Sequence, residues 1–202
     1  MLTVKKLALS TLISSALLLY PSLQVLANTP QHVVEQPAGG YRVQVGDIIV
    51  TSFTDGSVAQ DLHKLLRRTT PQKIDALLAK NFQTNPAEVS INAFLIAMPG
   101  HKILVDTGSG QLFGPGNGGR LIESLATQGV KPQDITEILL THVHSDHAGG
   151  LVKDGKPVFS NARVFVGKPE IDFFFNEDNQ KKTGYGQNYF DVAQKTLKPY
   201  LD

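Results

Sequence analysis

Positions 142 to 147 of the chain read His-Val-His-Ser-Asp-His and hold three of its six histidines. They follow the run Ile-Thr-Glu-Ile-Leu-Leu-Thr (135–141), whose apolar and β-branched content predicts a buried strand. A donor-rich loop leaving the C-terminal end of a buried strand restricts the architecture. In layered α/β folds ligands gather beyond strand ends, where a stiff sheet aims a loop without being distorted itself. The rest of the chain must therefore supply neighbouring strands for that sheet and helices to cover it.

On an extended backbone alternate side chains share a side, so His142 and His144 are expected to reach one cation. Asp146 and His147, one turn further on, are expected to face a second. Imidazole suits zinc at about 2.0–2.1 Å, and a carboxylate adds the negative charge that two adjacent divalent ions require. The chain has no cysteine, which excludes disulfide frameworks and cysteine-based zinc fingers and leaves only nitrogen and oxygen ligands. Such ligands also accept manganese, cobalt, nickel or iron. A divalent ion lowers the pKa of a bound water from about 15.7 toward about 7, giving a hydroxide nucleophile at neutral pH. Gly149 and Gly150 are expected to let the chain turn away without crowding the cations.

Alternation in Tyr-Arg-Val-Gln-Val (41–45) and the β-branched run Asp-Ile-Ile-Val-Thr-Ser-Phe (47–53) predict two strands, with a turn at Asp55-Gly56. Helices are expected over 61–67 and over 71–81, the second with Pro71 in its first turn. The basic stretch 63–73 reads as an amphipathic helix with a solvated charged face. Residues 90–98 and 102–106, joined by Pro99-Gly100, form a hairpin pattern with apolar runs long enough to be buried. A glycine-rich stretch then leads to a helix over 120–128 that Gly129 ends. After the histidine loop come a polar turn at 153–156, a strand over 162–166, and helices near 169–175 and 191–201. The intervening polar stretch 176–188 reads as a surface loop.

With 202 residues, 41% of them hydrophobic, and a net charge of +1, the composition is that of one globular domain of mixed structure and gives no sign of a nucleic-acid partner. Lys5 and Lys6, the apolar run 7–19 and Val25-Leu26-Ala27 match a secretory signal, so residues 1–27 are expected to be a leader cut after Ala27. Pro21 and three serines interrupt that run, which argues against a membrane anchor and against stable membrane association after cleavage. Residues 28–40 then read as an extended lead-in and 41–202 as the folded domain. The glycine-rich stretch 108–119 lacks phosphate-loop spacing and reads as a flexible border to the site. Ser109 lacks the flanking pattern of a serine hydrolase.

The pattern H-x-H-x-D-H after a hydrophobic strand resembles the signature of the metallo-β-lactamase superfamily. Four segments are similar, in order and spacing, to the N-terminal half of exported enzymes related to methyl parathion hydrolase: Gly-Asp-Ile-Ile-Val-Thr-Ser-Phe-Thr-Asp-Gly-Ser-Val (46–58), the hairpin and Leu-Val-Asp-Thr-Gly region (89–115), the histidine loop (139–151), and residues 159–174. The resemblance implies an α/β fold, the αββα sandwich, here stopping after its first half. It assigns His142 and His144 to a first metal, Asp146 and His147 to a second, and Asp106 to a supporting place that holds the loop. Asp146 is also the carboxylate expected to serve catalysis. Aromatic residues at matching positions imply that Phe113 and Phe174 line a substrate pocket, whereas Phe173 and Phe175 read as core.

The implied activity is hydrolysis of a small ester, lactone or organophosphate by an exported zinc enzyme, periplasmic or secreted, with a homo-oligomer among the partners the reading allows. The family takes further metal ligands from later loops, and no histidine follows His147. Each metal then has two ligands where a catalytic zinc keeps three, so the expected binding is weak and the expected activity low. A second reading stays open: a noncatalytic remnant with at most weak metal binding.

Overall fold

The structure is a computed structural model that describes Gln36 and residues 39–201. The expected leader and most of the lead-in lie outside the described residues. Strands β1 (Gly40–Val45), β2 (Ile48–Gln60), β3 (Ala87–Met98) and β4 (His101–Val105) form an antiparallel meander, which β5 (Glu137–Leu139) and β8 (Arg163–Phe165) extend in parallel. The order across this six-stranded sheet is β1-β2-β3-β4-β5-β8. A separate hairpin, β6 (Val152–Lys153) with β7 (Lys156–Pro157), turns at the predicted polar turn.

Parallel neighbours need a crossover, and α3 (Leu121–Thr127) supplies the one from β4 to β5. The other helices are α1 (Leu62–Leu65), α2 (Pro71–Ala79), α4 (Ser145–Ala148), α5 (Lys168–Phe174), α6 (Glu177–Thr183) and α7 (Gln187–Leu197). Phe53, Ala93, Leu95, Leu104 and Ile138 line one face of the sheet and form a single core with Leu121 and Leu125 of α3, Phe174 of α5, and Phe190, Ala193 and Leu197 of α7. Val143 and Ala148 of the histidine loop belong to the same core, so the loop is anchored through its apolar members.

The opposite face is only partly covered among the described residues. Strand pairing puts Val43, Val50, Ile96, Ile103, Phe94, Val105, Leu139 and Phe165 on it, and Phe94, Leu139 and Phe165 remain 41%, 38% and 45% exposed. The apolar runs of β3 and β4 predicted burial of the whole strand, whereas the described residues cover one side. Apolar side chains on both faces are the composition of a strand covered twice.

Four sequence expectations are corrected. Asp55-Gly56 is not a turn, because β2 continues through it to Gln60 with a register irregularity between Thr54 and Gly56. The Asp55 carboxylate is fully buried and accepts from Ser109 N and Oγ, Gly119 N and Leu121 N, at 2.9–3.0 Å. A Cβ on Gly56 would collide with the backbone of Gly118, so this pair is a docking point for the glycine-rich stretch. That stretch is thereby pinned rather than a flexible border.

The basic stretch 63–73 is not one helix. Thr70 is extended ahead of Pro71, as proline requires, so α1 and α2 are separate and Leu65 and Leu66 stay exposed. Finally, the stretch 176–188 contains α6. Asn176 caps it by accepting from Asp178 N, acids fill its first turn, Lys181 and Lys182 its last, and Gly184 closes it with a left-handed backbone.

Candidate metal centre

The histidine loop leaves β5 and is tied to the end of β4 along its length. Asp106 N donates to Leu139 O at 2.9 Å, Thr107 N to His147 O at 2.7 Å, and Gly150 N to Gly108 O at 3.0 Å. A Cβ on Gly149 or Gly150 would strike the carbonyls of Ser109 and Thr107 respectively. The glycines are thus explained by this close backbone packing.

Asp106 has φ +60°, a backbone that costs most residues energy and that aspartate tolerates comparatively well. There its carboxylate accepts from Thr141 N at 2.8 Å, from Thr141 Oγ1 at 2.9 Å and from His147 Nδ1 at 2.8 Å. Through these bonds Asp106 links the end of β4 to both Thr141 and His147.

The four donors fall into two pairs. His142 and His144 flank the buried Val143, His144 on extended backbone, and their facing nitrogens, His142 Nε2 and His144 Nδ1, stand 3.1 Å apart. Asp146 and His147 lie in α4, and Asp146 Oδ2 is 3.2 Å from His147 Nε2. His142 and His147 bring the pairs together, with ring centroids 4.0 Å apart. Every imidazole has an oxygen at its other nitrogen: Thr141 Oγ1 at 3.1 Å from His142 Nδ1, the Tyr185 hydroxyl at 2.8 Å from His144 Nε2, and Asp106 at His147 Nδ1. Among the described residues no three histidine or acidic side chains are grouped to hold one ion.

The pairs differ in charge. Hydrogen bonds to Asp106 and then Asp146 push His147 up to about 9, and the bond from His147 holds the Asp146 carboxyl below the usual range. Burial, with His142 beside it, pushes His144 down. Without metal at neutral pH the second pair is an ion pair, while His144 is neutral.

Three contributors escaped the sequence reading. Glu170 of α5 accepts from Val143 N at 2.9 Å and so holds the backbone between the two histidines. Tyr185 and Tyr189 pack on His144, with ring centroids at 6.1 and 5.4 Å. The cap signals of α6 were readable and would have marked Tyr185 as the residue following a helix end. Phe174 is 3% exposed and sets its ring against His144 at 6.2 Å, so it is a core residue that reaches the site. Phe173 and Phe175 pack against the core. Phe113 has no ring contact with the histidines among the described residues, and its carbonyl accepts from Asn117.

The family model described as the metallo-beta-lactamase superfamily matches residues 86–153, from the start of β3 through the histidine loop. Metallo-beta-lactamase domain-containing protein 1 of Mus musculus is 57% identical over 49 residues, 24% of this chain and 17% of the relative. The crystal structure of the hydrolase AbOPH, of the beta lactamase superfamily, superposes with a TM-score of 0.72 at 31% identity, over 82% of this chain and 59% of that one. AidC, a dizinc quorum-quenching lactonase in complex with the product N-hexnoyl-L-homoserine, gives 0.72 at 29% identity, over 82% and 60%. The chain thus spans about three-fifths of these solved structures. Sheet order, the loop at the strand end and these matches coincide on one segment: the chain has the metallo-β-lactamase α/β fold, and its residues 86–153 carry the match to that superfamily.

Proposed function

We propose that the chain holds divalent cations, zinc first among them, on His142, His144, Asp146 and His147, and serves hydrolysis of a small ester-like substrate after export. The observation that carries this reading is the paired arrangement of front atoms with every rear nitrogen on an oxygen. Two ligands on a tetrahedral zinc at 2.0–2.1 Å stand about 3.3 Å apart. The separations of 3.1 and 3.2 Å fit that requirement. Rear hydrogen bonds are what fixes ring orientation in metal-binding histidines.

A divalent ion bound here supplies water activation and polarisation of the scissile bond. The chain's own residues do the rest. Asp106 and Thr141 orient His147 and His142, and Glu170 keeps the intervening backbone in place. Asp146, held ionised by its bond from His147, is the proposed catalytic carboxylate. Phe174 and Tyr185 keep water from the core side of His144, and Phe113 is proposed as an outer pocket wall. A lactone is the leading substrate class, supported by the product held in the AidC structure. Aryl esters and organophosphates follow. Export to the periplasm or medium is supported by the leader-like residues 1–27.

One observation favours a second reading, a weak metal binder without turnover: each pair supplies two donors where a catalytic zinc takes three. Zinc titration by calorimetry, paired with hydrolysis of N-hexanoyl homoserine lactone, an aryl ester and an organophosphate triester, separates the two. Zinc-dependent turnover supports the enzyme, zinc binding without turnover supports the weak binder, and no zinc bound removes both.

A further inference from the structure

The rear partners of the three histidines are not equivalent. Asp106 carries only acceptors, so Thr141 Oγ1, at 2.9 Å from it, must donate its proton there. Having spent that proton, Thr141 Oγ1 accepts from His142 Nδ1 at 3.1 Å, which leaves His142 Nε2 as a bare lone pair. The bond of 3.1 Å between His142 Nε2 and His144 Nδ1 then needs its proton on His144 Nδ1. His144 Nε2 is left to accept from the Tyr185 hydroxyl at 2.8 Å. In the metal-free chain, therefore, the front nitrogen of His142 is unprotonated and that of His144 carries a proton.

We infer that Tyr185 is a positioning residue whose hydroxyl donates to His144 Nε2 in the metal-free chain and accepts from Nε2–H when Nδ1 holds a cation. The inference rests on the metal-binding reading above. A hydroxyl can reverse its role where a carboxylate cannot. His144 gives up its Nδ1 proton to solvent and takes one at Nε2, so the ring stays neutral, and Tyr185 keeps its own proton while its O–H turns. The hydroxyl is held for this: Tyr185 N donates to Thr183 Oγ1 and Tyr185 O accepts from Gln180 Nε2, both at 3.3 Å, which ties the residue to the end of α6. Tyr189 lies against both rings, 4.8 Å from Tyr185 and 5.4 Å from His144 by centroid, with no hydrogen bond to His144 among the described contacts.

Imidazole ¹⁵N shifts and zinc affinity test it on the whole chain. The metal-free chain is expected to show His144 protonated at Nδ1 and the zinc-loaded chain at Nε2. Tyr185→Phe, which keeps the ring, should weaken zinc binding about tenfold. Tyr189→Phe should change neither the tautomers nor the affinity. A metal-free His144 protonated at Nε2, unchanged zinc affinity in Tyr185→Phe, or an equal loss in Tyr189→Phe overturns the inference. If the wild type binds no zinc, the metal reading fails, and so does the role of Tyr185 that depends on it; a metal-free His144 protonated at Nδ1 then upholds only the hydrogen-bond assignment.

Discussion

The two donor pairs sit side by side on one loop and are built on different principles. His142 and His144 precede α4, backed by hydroxyls, and His144 is kept neutral by burial. Asp146 and His147 stand in a helical turn, backed by a carboxylate, and hold a proton between them that keeps His147 charged until about pH 9. On the proposed metal reading, a cation would reach the first pair by a change of tautomer and the second by displacing a proton. Adjacent ligands would thus differ in whether the cost of binding depends on pH.

The largest expected effect follows from that proton. Zinc affinity at the second pair should fall about tenfold per pH unit below 9, hence roughly a hundredfold between pH 9 and 7, while the first pair releases no net proton. Calorimetry at pH 7 in buffers of different ionisation heat should register about one proton released per zinc at the second pair, and none would erase the distinction. The metal-free chain sharpens it further. A raised histidine pKa contributes stability that is full below about 6.5 and lost as pH rises through about 9. The thermal midpoint should therefore decline over that window, and His147→Gln should flatten the decline.

Next comes Asp106→Asn, which tolerates the left-handed backbone but removes the charge facing His147; measured above pH 9, where no proton competes, zinc affinity at the second pair should drop 10- to 100-fold, the first pair much less. Thr141→Val withdraws the oxygen behind His142 and should cost the first pair about tenfold by the same titration. Smallest is Glu170→Gln, where a neutral amide oxygen still accepts from Val143 N and only charge assistance is lost, so a decrease of roughly threefold is expected. A larger loss from Glu170→Gln than from Thr141→Val would mean that backbone placement, rather than the rear oxygens, governs the first pair.

The sheet was largely readable because strands announce themselves by local composition: β1, the start of β2, the β3–β4 hairpin and β8 follow from alternation and β-branched runs. The donors and Asp106 were readable for the same reason, lying within two short motifs. Asp55 was misread because its side chain is satisfied by partners 54 to 66 residues away, and no local rule distinguishes such an aspartate from one in a turn. Tyr185 and Glu170 were missed because their links to the loop are tertiary, from helices placed by Phe174 and Phe190 in the core. The single covered face of the sheet was likewise invisible in β3, whose apolar run is the same whether one side is covered or two.

The buried carboxylate of Asp55 belongs to a strand that contributes none of the donors, yet it grips Ser109, whose carbonyl lies against Gly149 just past the last histidine. The chain's second strand is in this way a remote anchor for the cation loop. A genetic screen for lost metal function would recover lesions at position 55, and they would look like damage to a site they never touch.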